Sequence, residues 1–248
     1  MNVILSVSDA LHQWMGLELA HIPSMGGQLP GAQVLLSDEQ SISWQCHVIF
    51  PTASLSDGML VAVEARSHYT VLLPFHEIPS REQLEKTLLQ QWIKQVAYMA
   101  AKLELIADQD MENLFTQFLQ HPITVYWYRN SDPCLAEHLD FAEQSLHHTL
   151  QSYRLESLDI DEAISLGLHI NHLLEKGQLK TRQRAPESPY DRFLADALYR
   201  FGHGLARSRY PGVPAGDFPN PYLSHVHVPT PDGGKVLSMA EYLRNRPR

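Results

Sequence analysis

The apolar positions of this chain change period along its length. Over residues 2–7 apolar and polar residues alternate well enough for a strand, and Ser8 is placed to cap a short helix over 9–15 that Gly16 ends. Residues 23–31 hold Gly26, Gly27, Pro30 and Gly31 and read as irregular loop. Over 41–50, Ile42, Trp44, Cys46, Val48 and Phe50 share one side, the period of a half-buried strand. Residues 59–65 and 69–75 are apolar and rich in β-formers. With Arg66-Ser67-His68 between them they read as a hairpin.

From Ser80 the period becomes helical. Ser80 and Gln83 make a capping box, and Leu84, Leu88, Trp92, Val96, Met99 and Leu103 draw one apolar stripe toward Ile106. A shorter helix is predicted over 110–120, stopped by His121-Pro122, and a short aromatic strand over 123–128. Asp132-Pro133, a capping residue followed by proline, marks the next helix start; Leu135, Leu139, Ala142, Leu146, Leu150 and Tyr153 follow at helical spacing. Two more helices are predicted, over 161–176 and from Ser188-Pro189, the second burying Phe193, Leu194, Ala197, Leu198, Phe201 and Leu205. Nine of the 16 prolines lie after Ala185, so the chain beyond Tyr210 reads as an extended arm. Within it, 226–228 and 235–237 form a candidate hairpin, and Ser238 with Glu241 opens a last short helix. Strands first and helices after them predict an α+β fold: a small antiparallel sheet covered by helices, with a proline-rich C-terminal arm. The expected organisation is a globular core over 1–155, a helical extension packed on it over 156–210, and the arm over 211–248.

Composition narrows the class. A chain of 248 residues that is 44% hydrophobic buries a core without disulfides or metals. Its two cysteines, Cys46 and Cys134, are expected to be reduced, buried thiols. The first residues lack the basic flank and apolar run of a signal peptide, and no stretch approaches the roughly 20 apolar residues of a membrane span. The expectation is a cytoplasmic protein with no membrane partner.

Charge is sorted by position. Residues 1–175 carry 7 Lys/Arg and 22 Asp/Glu, a net of −15, whereas 176–248 carry 12 and 6, a net of +6. The basic end therefore seeks something acidic: the acidic body of this chain, a second copy, an acidic protein or nucleic acid. Lys180, Arg182, Arg184, Arg207 and Arg209, interleaved with Tyr190, Tyr199 and Tyr210, are its candidate contacts. The acidic body disfavours general adhesion to phosphate backbones, which makes nucleic acid the less favoured partner.

Candidate chemistry is sparse. At the turn after the aromatic strand stand Arg129, Asn130, Ser131 and Asp132, with His138 and Asp140 just inside the next helix. A strand-to-helix turn frees backbone N–H groups for an anion, and Arg129 adds a bidentate clamp. The competing account is that Asp132 caps the helix and already supplies negative charge there. Cys134 and His138, four residues apart at a helix start, form a conceivable thiolate pair. His169 with His172 and His225 with His227 are the weak metal candidates, at spacings that share a face. No nucleophile elbow, P-loop or dinucleotide fingerprint occurs, so no cofactor is implied and no catalytic residue is assigned.

Four pieces together resemble a bacterial family of uncharacterised domains: Asn2–Val7, Trp44, MLVAVEARSHYTVLLPF at 59–75 and ITVYWYRNSDPCLAEHLDFA at 123–142. That family has an N-terminal strand and short helix, a tryptophan, a strand pair, and a strand leading through an Asn-Arg-Ser-x-x-Gly-Ser-Met-Asn-Asp-Phe turn into a helix. Arg129, Ser131, Asp140 and Phe141 echo the signature, while its Gly-Ser-Met-Asn core has no counterpart here. The resemblance covers roughly residues 1–150 and implies a fold, a bacterial origin and a recurring turn, but no chemistry.

The leading expectation is a non-catalytic binding or accessory protein, a homodimer held partly by the arm. One alternative is an enzyme acting on an anionic small molecule at the turn from Arg129 to Asp140. The other is a nucleic-acid-associated factor that uses the basic third.

Overall fold

Val3, Leu5 and Val7 alternate with Asn2, Ile4 and Ser6, and this alternation makes β1 (Asn2–Val7) a strand with unlike faces. The computed structural model describes residues 1–23, 29–51, 57–175, 188–205, 218 and 220–222. After β1 come α1 (Asp9–Trp14), β2 (Ser41–Ile49), β3 (Gly58–Glu64), β4 (Thr70–Phe75), α2 (Arg81–Lys102), α3 (Met111–Gln120), β5 (Thr124–Arg129), α4 (Ala136–Tyr153), α5 (Ile160–Glu175) and α6 (Pro189–Phe201). The expected hairpin over residues 226–237 and the last helix lie outside the described residues.

The fold is α+β, as the order of elements implied. Its open sheet has the order β4-β3-β2-β1-β5. Only β2, β3 and β4 are antiparallel; β1 runs parallel to both β2 and β5. The sheet is thus mixed, a correction to the antiparallel expectation. The cause is connection length. Tight turns reverse the chain, but α1 with its following loop, and later α2 with α3, carry it back to the end from which β1 began.

Both faces are covered. On one, Val3, Leu5, Ile42, Trp44, Leu60 and Val71 meet apolar residues of α1, α2, α3 and α6. Trp92 of α2 centres an aromatic cluster, edge-on to Trp44 (5.9 Å), Phe118 (5.7 Å) and Phe201 (5.4 Å). Tyr69 stacks on Phe193 at 4.1 Å, and its hydroxyl donates to Gln95 Oε1 (2.9 Å). On the other face, Met59, Val61, Val63 and Leu72 meet α4 and α5. These helices cover β3 and β4, whereas on the same face of β5 Tyr126 stays 43% exposed.

Local signals held where they were self-contained. Ser8 caps α1 by accepting from Leu11 N–H, and the Ser80–Gln83 capping box is formed. α4 departs from expectation: it begins at Ala136, not at Asp132-Pro133. The Asp132 carboxylate instead accepts from Cys134 N–H (2.8 Å) and from Leu35 N–H (2.7 Å), which commits it to a turn and a distant loop.

The β4 edge is guarded. Fully buried Asn171 of α5 accepts from Thr70 N–H and donates to Thr70 C=O, both at 2.8 Å, satisfying the groups a foreign strand would seek. Pro74 removes another donor from the same strand. Replacing Asn171→Ala leaves the Thr70 backbone without its amide partners, and we expect a loss of about 2–3 kcal/mol in urea unfolding. Hydrogen exchange at Thr70 N–H should accelerate in parallel.

Candidate functional site

In open sheets containing parallel strands, ligands bind beyond the carboxyl ends where successive connections leave toward opposite faces. Here β1 leads into α1 on one face and β5 into α4 on the other, so the crevice between β1 and β5 is that place. It lies beside the turn singled out from the sequence.

The protein's own chain fills the crevice. Gln45 of β2 donates through Nε2 to Ser6 C=O (3.1 Å) and Asn130 C=O (3.0 Å), and its Oε1 accepts from Asp132 N–H (2.9 Å). Asn130 clamps Gln33 from both sides, accepting from its N–H (2.7 Å) and donating to its C=O (2.9 Å). Ser131 N–H reaches Gly31 C=O, and Arg129 N–H reaches Ala20 C=O, each at 2.9 Å. Gly31 has φ +80°, and a Cβ there would lie 2.7 Å from His21 Nδ1, so no side chain fits.

The predicted ligand residues are directed to different neighbours. Arg129 Nε donates to Asp9 Oδ1 of α1 (2.7 Å), and the guanidinium holds the Asp9 carboxyl below its usual pKa. Asn130 is buried in the clamp just described, and Ser131 and Asp140 face solvent. His138 turns inward against His68 of the β3–β4 turn, ring centroids 4.5 Å apart. The Cys134 thiol is exposed, a correction to the buried pair expected. Desolvation and then the Asp132 carboxylate raise its pKa, which disfavours a thiolate. Cys46 is buried, and both cysteines are free.

One polar pair escaped the sequence. Ser8 Oγ and His47 Nδ1 are 2.8 Å apart because the parallel register sets Val7 beside Cys46. Ser8 Oγ also accepts from Leu11 N–H, so the contact with His47 is part of the α1 cap. Burial lowers the His47 pKa, against the pull of Glu143 and Asp140. The two lie 39 positions apart, so no local signal marks the pair.

The remaining candidates are spread out. His169 and His172 are half-buried on α5, and His225 and His227 lie outside the described residues. Among the described residues no group of three or more His, Cys, Asp or Glu is arranged to hold a metal. Lys180, Arg182, Arg184, Arg207 and Arg209 also lie outside them. Two other cations of the basic third are described. Arg192 Nη1 donates to Arg66 C=O (3.0 Å). Arg200 Nε pairs with Asp196 (2.9 Å), and its Nη1 donates to Glu39 C=O (3.1 Å). Of the arm, residues 218 and 220–222 are described: Tyr222 hydrogen-bonds to both Arg200 and Asp196, while Arg66 lies 4.4 Å over its ring. Phe218 fills the space that a Cβ on Gly202 would take.

A half-open depression bordered by Pro51, Gly58, Pro74 and Leu158 has a cavity volume of about 10 Å³, room for little more than one water and far below the roughly 300–1,000 Å³ of small-molecule sites. No helix among the described residues is long and apolar enough to cross a membrane. No protein family, curated protein or solved structure matches the chain.

The clamp and the ion pair differ in consequence. Asn130→Ala strips both Gln33 backbone groups of partners, and urea unfolding should register a loss of about 2–4 kcal/mol. Arg129→Ala, at a solvent-washed pair, should leave the unfolding curve unchanged.

The histidine pair sets a pH dependence. Desolvation first, then Arg192, lowers His68 to about 4; desolvation, then His68 and Arg192, lowers His138 to about 4. The unfolded chain therefore takes up protons near 6.5 while the folded chain does not. Stability is full above pH 6.5 and falls between 6.5 and 4, by roughly 2–3 kcal/mol per ring. His138 Nδ1 is buried without a partner, so His138→Phe should flatten part of that fall in unfolding curves taken at pH 7 and pH 5.

Proposed function

We propose that this chain is a non-catalytic binding or accessory protein that acts through its surface. The observation that carries the reading is the filled crevice. Gln45, Asn130 and Asp132, the polar groups best placed to meet a substrate, spend their hydrogen bonds on the protein's own strands and loop. Arg129 spends its own on Asp9. The raised pKa of Cys134 also speaks against a nucleophile beside His138.

The surface supplies what the crevice lacks. Leu36 is 76% exposed, Val34 is exposed nearby in sequence, and Tyr126 is exposed on β5. Isolated apolar residues on a surface are ordinary, but Tyr126 lies on the face of the sheet that α4 and α5 leave open at β5. The reading includes a cytoplasmic location, supported by the two free thiols. It also includes the bacterial family resemblance, whose matching pieces are β1, Trp44 of β2, the β3–β4 hairpin and β5 with α4.

Thermal unfolding with millimolar phosphate, a nucleotide and a dicarboxylate tests this function. We expect no displacement of the transition. A ligand at a hundred times its Kd adds about 2.7 kcal/mol, a rise of a few degrees. Such a rise, lost in Arg129→Ala, would replace the proposal by the enzyme reading.

A further inference from the structure

We propose that the surface around Arg66, Asp196 and Arg200 is a peptide-recognition site for a tyrosine-bearing segment of a partner protein, with residues 218–222 of this chain as its resident occupant. The argument begins with spacing. Phe218, Asn220 and Tyr222 stand at every second position, and each meets a different part of the body. A Cβ on Gly202 would lie 2.6 Å from Phe218 Cε2, so the bare glycine makes the notch for that ring. Asn220 Nδ2 donates to Glu39 Oε1 (2.6 Å) and to the Tyr199 hydroxyl (3.2 Å). The Tyr222 hydroxyl donates to Asp196 Oδ1 and accepts from Arg200 Nη2, beneath the Arg66 guanidinium. Alternate side chains, each in its own subsite, are how a surface reads a short peptide.

The body holds these groups in place without the arm. Arg200 Nε donates to Asp196 Oδ2 (2.9 Å), Nη1 to Glu39 C=O (3.1 Å) and Nη2 to Asp38 C=O (2.5 Å). Guanidinium and carboxylate are therefore aimed before a phenol arrives. The segment is prepared as well. Asn220 Oδ1 accepts from Tyr222 N–H (2.8 Å), which closes a turn, and prolines at 219 and 221 restrict the backbone. Two preorganised partners lose little entropy on meeting.

The Asp196–Arg200 pair defines what fits. The carboxylate needs a donor and the guanidinium an acceptor, and one phenol oxygen is both. Burial first, then the Asp196 carboxylate, raises the Tyr222 pKa, so the phenol keeps the proton it donates. Phenylalanine would leave both charged groups without that partner, and phosphotyrosine would set its charge against Asp196. Arg66 Nη2 donates to Pro221 C=O, while its enclosed Nη1 has no hydrogen-bond partner among the described residues. The site thus holds a donor that the described arm leaves unused, and this spare donor is the sign of an occupant other than the arm.

The inference rests on the surface-binding reading, and the two fail separately. Small-molecule stabilisation lost in Arg129→Ala removes that reading and leaves peptide binding untouched. Fluorescence anisotropy of the full chain with a labelled synthetic peptide, Gly-Asp-Phe-Pro-Asn-Pro-Tyr-Leu-Ser as over residues 216–224, tests the site. Tethering keeps the chain's own tyrosine at an effective concentration on the order of millimolar, so the parent should bind the peptide at least about tenfold more weakly than Tyr222→Ala. The Tyr222→Phe peptide, and the peptide phosphorylated at Tyr222, should each bind Tyr222→Ala about tenfold more weakly than the unmodified one. Should Tyr222→Ala fail to fold, Asn220→Ala takes its place, since it loosens the arm at Glu39 and Tyr199 and leaves Asp196 and Arg200 intact. No binding to the folded variant, equal binding to parent and variant, or equal affinity for the Tyr222→Phe or phosphorylated peptide would overturn the proposal.

Discussion

The side-chain amides of Gln45 and Asn130 hold the carboxyl ends of β2, β1 and β5 in one place, and the rest of the site depends on that hold. Each amide is a donor and an acceptor with no charge to desolvate, so it bridges backbone groups on separate strands at little cost once buried. Through Gln33 and Leu35 the same network draws a loop over the sheet. The strand ends that most invite a ligand are thereby turned into a structural joint.

The sheet between its two layers is asymmetric in a related way. β3 and β4 are enclosed by aromatic and aliphatic packing on both faces, and the β4 edge is sealed by Asn171. β5 pairs with β1 along its length and meets residues 20–21 at Arg129, with Trp127 tied to Glu85 and Tyr126 left in solvent. Stability and exposure are thus divided between opposite ends of a single sheet. The closed end is buried on both faces, and the open end exposes Tyr126.

Charge sorting along the chain has a partial structural counterpart. Arg200 is enclosed by Asp196 and by backbone carbonyls before β2, and it receives Tyr222 from the arm. Here a cation of the basic third does not reach outward. It holds Tyr222 against the body, and Arg66 over the same ring completes the contact. A buried guanidinium tolerates this position because its several donors all find oxygen acceptors.

The elements themselves were legible because their signals are local. Period-two apolar runs, the Ser80–Gln83 box and the stripe of Leu84, Leu88 and Trp92 each act within a few residues, and each appears where expected. Asp132 shows the limit: read locally it caps a helix, yet its carboxylate answers Leu35, 97 residues away. The strand order, the parallel pairing of β1, the Ser8–His47 contact and the edge-on contact of His68 with His138 were invisible for the same reason. They arise from pairings between distant segments, whose register is chosen by the burial of whole faces and not by any residue's own preference. The sequence alone determined which segments are helices and strands and which side of each is apolar. Tertiary structure decided which polar groups remain free to act, because a hydrogen-bonding group is used up only by the partner that folding brings to it.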